Sequence, residues 1–130
     1  MIFQSLIRAG RKLHSQVREA VKEHSRSPKW ASAREAHLKD HPCCAACGSQ
    51  RGVQVHHVKP FHIHPELELD PTNFITLCMD TYECHLNIGH GDSFRCYNPD
   101  VREDAEKFGK LSESDKKSLL AEIKSRRLTT

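Results

Sequence analysis

Aromatic residues are scarce in this chain: Phe, Trp and Tyr together make up 6% of it, with a single tryptophan. Hydrophobic residues reach 37% over 130 residues, which allows one ordinary domain with extensions but little material for a large core. A fold this lean borrows stability from a staple such as disulfides or a bound metal. No apolar run approaches the ~20 residues of a membrane helix, so a helical span is excluded. Met1–Gly10 has no basic segment ahead of its short apolar stretch, so no secretory leader is expected and the cysteines are expected in a reducing cytoplasm. Repeats and low-complexity tracts are lacking too, which leaves one centre wrapped by helices as the simplest arrangement.

What the chain does have is six cysteines, ten histidines and an uneven charge. Residues 1–42 carry nine Lys/Arg against four Asp/Glu (+5), residues 43–100 three against seven (−4), and residues 101–130 eight against six (+2). Basic flanks around an acidic, histidine-rich middle suit a nucleic acid held from the sides over a cation-binding centre. Solvated helix surfaces account for the same charges equally well, so charge alone does not choose between them.

Hydrophobic periodicity divides the chain into 1–42, a basic helical extension; 43–100, a core of short elements; and 101–130, closing helices. Ile2, Leu6, Leu13, Val17 and Val21 fall near one face of a helix over 2–24, with Arg11, Lys12, Arg18 and Lys22 elsewhere on it. Ser27-Pro28 opens a second helix that stops before Pro42, with Trp30 as a core anchor. Val53–Val58 and Phe74–Leu77 read as strands, Lys59–Leu69 as an irregular loop, Asp70–Asn73 as a turn, and Cys84 to about Ile88 as a helix start. Asn98-Pro99 caps a helix bearing Val101, Ala105 and Phe108 and ended by Gly109. Ser112-x-x-Asp115 opens a last helix with Leu119, Leu120 and Ile123.

Cys44-x2-Cys47 and Cys78-x5-Cys84 provide two thiolate pairs, and two such pairs suit a closed tetrahedral zinc site. The second gap is wider than the usual two residues, which makes Cys84 the weakest of the four ligands. Cys43 is the alternative to Cys44, whose spacing to Cys47 is better, and Cys96 is expected to be a free thiol. Four buried cysteines without a metal are the plain alternative. Between the pairs lie His56 and His57 on a strand, where neighbouring side chains point to opposite sides. One can hold a metal while the other faces a substrate. Phosphodiester hydrolysis needs a base for the attacking water and a cation for the developing charge, and imidazole, with a pKa of ~6.5, suits the first task.

Taken together, Cys44-Ala-Ala-Cys47-Gly48, Val55-His-His-Val58, Asp70-Pro-Thr-Asn-Phe-Ile-Thr-Leu-Cys78 and Cys84-His85 resemble the HNH endonuclease family, in particular its small phage-type, zinc-clamped members, over roughly residues 42–100. The run from Arg26 through Trp30 to Pro42 is similar to that subgroup as well. The resemblance implies an α+β fold: a ββα-metal core with one structural zinc on Cys44, Cys47, Cys78 and Cys84, flanked by N- and C-terminal helices. It implies His56 and His85 as ligands of a catalytic divalent cation, with His90 as a further ligand at a slightly different spacing. His57 would be the general base, and Asn73 would orient the active-site loop and His57 by hydrogen bonds. His56 stands where the family often has Asp, which shifts preference towards Mn²⁺, Ni²⁺ or Zn²⁺ without excluding Mg²⁺.

The expected function is metal-dependent hydrolysis of DNA, nicked or cut through, with Arg11, Lys12, Arg18 and Lys22 gripping phosphates. The location implied is the cytoplasm, that of a host cell for a phage protein, and such relatives often work beside the DNA-packaging terminase. A non-catalytic zinc module that binds nucleic acid or a packaging partner is the alternative. His62 and His64, in the proline-flanked loop, are expected to be exposed, within reach of phosphate.

Overall fold

Residues 25–130 are described by the computed structural model, so the expected helix over 2–24, with Arg11, Lys12, Arg18 and Lys22, lies outside the described residues. The helix expected from Pro28 starts instead at Trp30, as α1 (Trp30–Asp40). Pro28 and Lys29 are used in a turn, closed by the Trp30 amide on the Ser27 carbonyl at 3.0 Å. Ser27 Oγ accepts from the Lys29 amide at 3.2 Å, so the hydroxyl organises the turn and does not cap the helix. α1 ends ahead of Pro42, whose preceding residue is sterically driven out of the helical region.

Two antiparallel strands form the centre. β1 (Val53–His57) pairs with β2 (Phe74–Cys78), with Val53 opposite Cys78 and His57 opposite Phe74. β2 is buried along its whole length, as expected of a strand covered on both sides, and its one hydroxyl is satisfied: Thr76 Oγ1 donates to the His41 carbonyl at 2.7 Å. The turn before β2 has the expected chemistry, with the Asp70 carboxylate accepting from the Thr72 amide at 3.0 Å and from its hydroxyl at 2.7 Å. After β2 the chain enters a five-residue π-helix, His85–Gly89, where an ordinary helix start was expected.

The closing helices are α2 (Val101–Phe108) and α3 (Glu113–Arg126). Val101, Ala105 and Phe108 are buried together with Leu119 and Ile123, and the amide of Asp115 donates to Ser112 Oγ at 3.3 Å, as the spacing predicts. Gly109 does follow α2, but its φ of −63° is ordinary helix, not a left-handed cap. It is required by closeness: a Cβ there would lie 2.8 Å from the Ala46 carbonyl oxygen, so glycine lets α2 end on the cysteine turn.

A second sheet, β3 (Cys96–Tyr97) with β4 (Leu128–Thr129), was not expected, because two-residue strands carry no periodicity. A buried polar lock ties these closing elements to the π-helix. Asn98 Nδ2 donates to the Ile88 carbonyl at 3.0 Å and to Asp104 at 2.8 Å, and its amide donates to the Gly89 carbonyl. Arg126 closes the lock with a two-pronged bond to the buried Asp104 carboxylate, at 2.8 and 2.9 Å. Among the described residues no helix is long and apolar enough to cross a membrane.

Candidate metal centre

The cysteine turn folds through Gly48, whose φ of +79° suits glycine, and its amide donates to the Cys44 carbonyl at 2.9 Å. The Ala45 amide donates to the Thr76 carbonyl, which lays the turn against β2. Cys78 ends β2 and Cys84 precedes the π-helix, so strand and helix each deliver one thiol to the same point. The four sulfurs of Cys44, Cys47, Cys78 and Cys84 lie within 4.8 Å of one another and could hold a metal ion. The widened gap is absorbed by a turn in which Glu83 takes a positive φ of 46°, and Cys84, the weakest ligand by spacing, is fully buried in the cluster. Cys43 stays outside it, exposed, and Cys96 is a half-buried free thiol.

The cluster is electrostatically unbalanced by itself. The Cys84 thiol donates to Cys44, which holds the Cys44 thiol down to about 4 and pushes Cys84 upward, while burial pushes Cys47 up to about 11. Crowded, buried thiols allow only partial ionisation. A divalent cation would permit all four to ionise, and with metal–sulfur bonds of ~2.3 Å a tetrahedron needs sulfurs roughly 3.8 Å apart. The Cys47–Cys78 separation of 3.5 Å is close to that.

A second group comprises His56, His85 and His90, whose nitrogens also lie within 4.8 Å of one another. His90 Nδ1 donates to the Cys96 carbonyl at 2.7 Å, and His85 Nδ1 donates to Gln54 Oε1 at 2.6 Å. Both rings therefore turn a lone pair outward at Nε2, and these two atoms face each other at 3.2 Å. His56 is buried, and its Nε2 has no hydrogen-bond partner. Burial and the neighbouring imidazoles push His56 well below the usual histidine range, and burial brings His85 to about 4 and lowers His90. Neutral rings with converging nitrogens, two of them (His85 and His90) with the outer N–H fixed by an oxygen acceptor, could hold a metal ion, where cis nitrogens at ~2.0–2.1 Å from the ion stand roughly 3–3.4 Å apart.

The π winding explains why His85 and His90 meet. An α-helix brings i and i+4 together, whereas an i→i+5 turn lines up residues five apart. The winding thus sets the two rings side by side across five residues.

His57 points to the other side of β1, as neighbouring strand residues must, and packs on Trp30 at 4.7 Å between ring centroids and on Phe74 at 5.3 Å. Its Nε2 donates to the Glu68 carbonyl at 2.9 Å, leaving the lone pair at Nδ1, and burial lowers its pKa. His57 and the three imidazoles line one cleft of about 170 Å³, with Arg26, Phe61, His62 and Phe94 among its other walls. A larger groove of about 770 Å³ lies between α1 and α2 and contains none of the residues expected at the site. His62 is exposed, and His64 pairs with Glu66 at 3.1 Å.

Asn73 holds the loop after β1 by both main-chain polar groups of one residue: its Oδ1 accepts from the Lys59 amide at 2.8 Å and its Nδ2 donates to the Lys59 carbonyl at 3.0 Å. No hydrogen bond joins it to His57. That ring is oriented by Glu68 and Trp30, which sequence reasoning did not assign to the site. Gln54 and Cys96, which orient His85 and His90, were missed as well. Gln54 lies two residues before His56 on β1, a signal the strand pattern contained; the Cys96 and Glu68 contacts are made by backbone carbonyls and leave no mark on residue type.

Comparison of the chain with known protein families, with characterised proteins and with solved structures returned no match.

Proposed function

We propose that this chain is an HNH-type endonuclease, a metal-dependent hydrolase of DNA phosphodiester bonds whose ββα core consists of β1, β2 and the π-helix. The observation that carries the reading is the pairing, in one cleft, of a neutral histidine base with three converging imidazole lone pairs. The motif resemblance supports it independently of that geometry.

In this reading His57 accepts the proton of the attacking water at Nδ1, while its Nε2–H bond to Glu68 fixes the ring and steadies the imidazolium that forms. Water oxygen bonds to phosphorus as the bond to O3′ breaks, and the departing O3′ takes a proton from solvent, leaving a 5′-phosphate and a 3′-hydroxyl; His57 later returns its proton to solvent. A divalent cation on His56, His85 and His90 would supply positive charge to the phosphate and the leaving oxygen, and three nitrogen donors favour Mn²⁺, Ni²⁺ or Zn²⁺ over Mg²⁺. Asn73 is a positioning residue that clamps the main chain at Lys59, two residues after His57. Cys44, Cys47, Cys78 and Cys84 hold a structural Zn²⁺. The substrate is DNA in the cytoplasm, gripped by the basic flanks, with a packaging-motor subunit as a candidate partner for the N-terminal extension.

The test is plasmid cleavage by the purified protein, with EDTA and with each divalent ion restored. Cleavage that stops with EDTA and returns with Mn²⁺ or Ni²⁺ is expected. His57→Ala should abolish it with catalytic-site metal affinity retained, whereas His85→Ala should lose that affinity. A protein that binds DNA but cuts nothing with any ion would instead be the non-catalytic zinc module.

A further inference from the structure

Phe94 is the most exposed large hydrophobic side chain among the described residues, at 57% exposure, yet it stands at the mouth of the imidazole cleft. Its ring centroid is 4.9 Å from that of His90 and 5.9 Å from that of His85, so one edge of the ring is seated and the rest is open to solvent. The segment that presents it is held firmly. Gly91 and Asp92 both take positive φ, and the Gly91 carbonyl accepts from Arg127 at 2.6 Å. Arg95 O, one residue beyond the ring, accepts from both the amide and the hydroxyl of Thr130 at 2.9 Å.

Phe61 lines the same cleft. The Arg26 guanidinium lies 4.5 Å from its ring centroid and 4.8 Å from that of Trp30, while the ion pair to Glu68 at 3.4 Å tethers it. The cleft thus combines a fixed cation with aromatic rings, the pairing that proteins use to hold single strands: charge for the phosphates, ring faces for the bases.

We infer that Phe94, with Phe61, forms a stacking platform for unpaired bases beside the bound phosphate, so that the preferred substrate is single-stranded or locally unpaired DNA. The inference rests on the nuclease reading for its substrate but not for its geometry. In a duplex each base face is covered by the next base, and an exposed ring at the cleft mouth meets only sugar and phosphate. An unpaired base offers a free π-face, which an aromatic ring binds whatever the sequence.

Binding is measured by fluorescence anisotropy of a labelled single strand and of its duplex, in the His57→Ala background so that the probes survive. The single strand should bind more tightly than the duplex. Phe94→Ala and Phe94→Leu should each lose about tenfold on the single strand and little on the duplex, and Phe94→Trp should retain the preference. Phe94→Leu keeps an apolar contact against His85 and His90, so unchanged Ni²⁺ affinity in that variant separates stacking from support of the metal site. Equal losses on both probes, or none on either, would overturn the inference. Phe94-dependent single-strand binding in a protein whose unsubstituted form cleaves nothing with any divalent ion would support the platform and sink the nuclease reading alone.

Discussion

Gly89 lies directly against His56: a Cβ at position 89 would stand 3.0 Å from both Nδ1 and Cε1 of the imidazole. The last residue of the π-helix therefore leaves the space in which a buried ring on β1 can turn its Nε2 towards His85 and His90.

Gly89→Ala would crowd that ring, and Leu77 Cδ1 at 3.2 Å, so the imidazole is expected to give way by a few tenths of an ångström. Divalent-ion affinity at the imidazole group should fall about tenfold or more, the order of effect seen when the supports of a metal ligand are altered. Zinc content at the cysteine cluster should not change. Titration calorimetry with Ni²⁺ alongside elemental analysis checks both halves.

The cysteine cluster should contain one tightly held zinc per chain. Metal-binding free energies of about 10–16 kcal/mol in small structural sites are as large as the whole ~5–15 kcal/mol stability of a domain. Cys47→Ser or Cys84→Ser should therefore unfold the centre, read as loss of the cooperative thermal transition. Folded protein purified without zinc or another metal would sink the idea.

With no ion on the imidazoles and zinc retained at the cysteines, acid should destabilise the protein in a defined window. In the unfolded chain these imidazoles protonate as pH falls through about 6.5, whereas folded His85 stays neutral down to about 4, and His56 and His90 are also lowered. Between those limits the unfolded state binds more protons, so stability rises with pH across the window and is lost as pH falls from about 6.5 towards 4. A melting-temperature series of protein that keeps its cysteine-bound zinc but carries no ion at the imidazoles checks this. Because burial also lowers His57, the acid limb of cleavage should have its midpoint below 6.5.

The basic N-terminal segment makes a separate prediction, from sequence alone. Neutralising Arg11, Lys12, Arg18 and Lys22 together should flatten the log–log salt dependence of duplex binding by up to about 3.6, at about 0.9 per phosphate contact, with the rate at bound substrate unchanged. A variant that binds like its parent at every salt concentration would move this segment from substrate grip to partner docking.

Both candidate centres could be read in advance to the extent that they depend on residue type. Cys44, Cys47, Cys78 and Cys84 announced themselves by pairing, and His56 and His57 by lying between the pairs on an alternating strand. Backbone winding was not legible: nothing in the residue types of His85–His90 distinguishes a π turn from an α turn. Contacts through main-chain oxygens, such as Glu68 on His57 and Cys96 on His90, are invisible because any residue can make them. Gly109 looked like a cap because glycine has two uses, left-handed backbone and close approach, and only packing against Ala46 distinguishes them.

The lock of Asn98, Asp104 and Arg126 orders the birth of the site. A chain emerging from the ribosome has released every thiol and imidazole of both clusters once His90 is out. The π-helix that aims His85 and His90 is still unbraced at that point, since its Ile88 and Gly89 carbonyls await Asn98, and the buried Asp104 awaits a cation supplied only at Arg126. Synthesis from one end therefore delays the aiming of the imidazoles until some thirty-six residues after the last of them. A nascent chain carries every donor of the two candidate metal sites without the brace that aims the imidazoles, and a break between Asn98 and Arg126 should loosen that aim with no donor side chain touched.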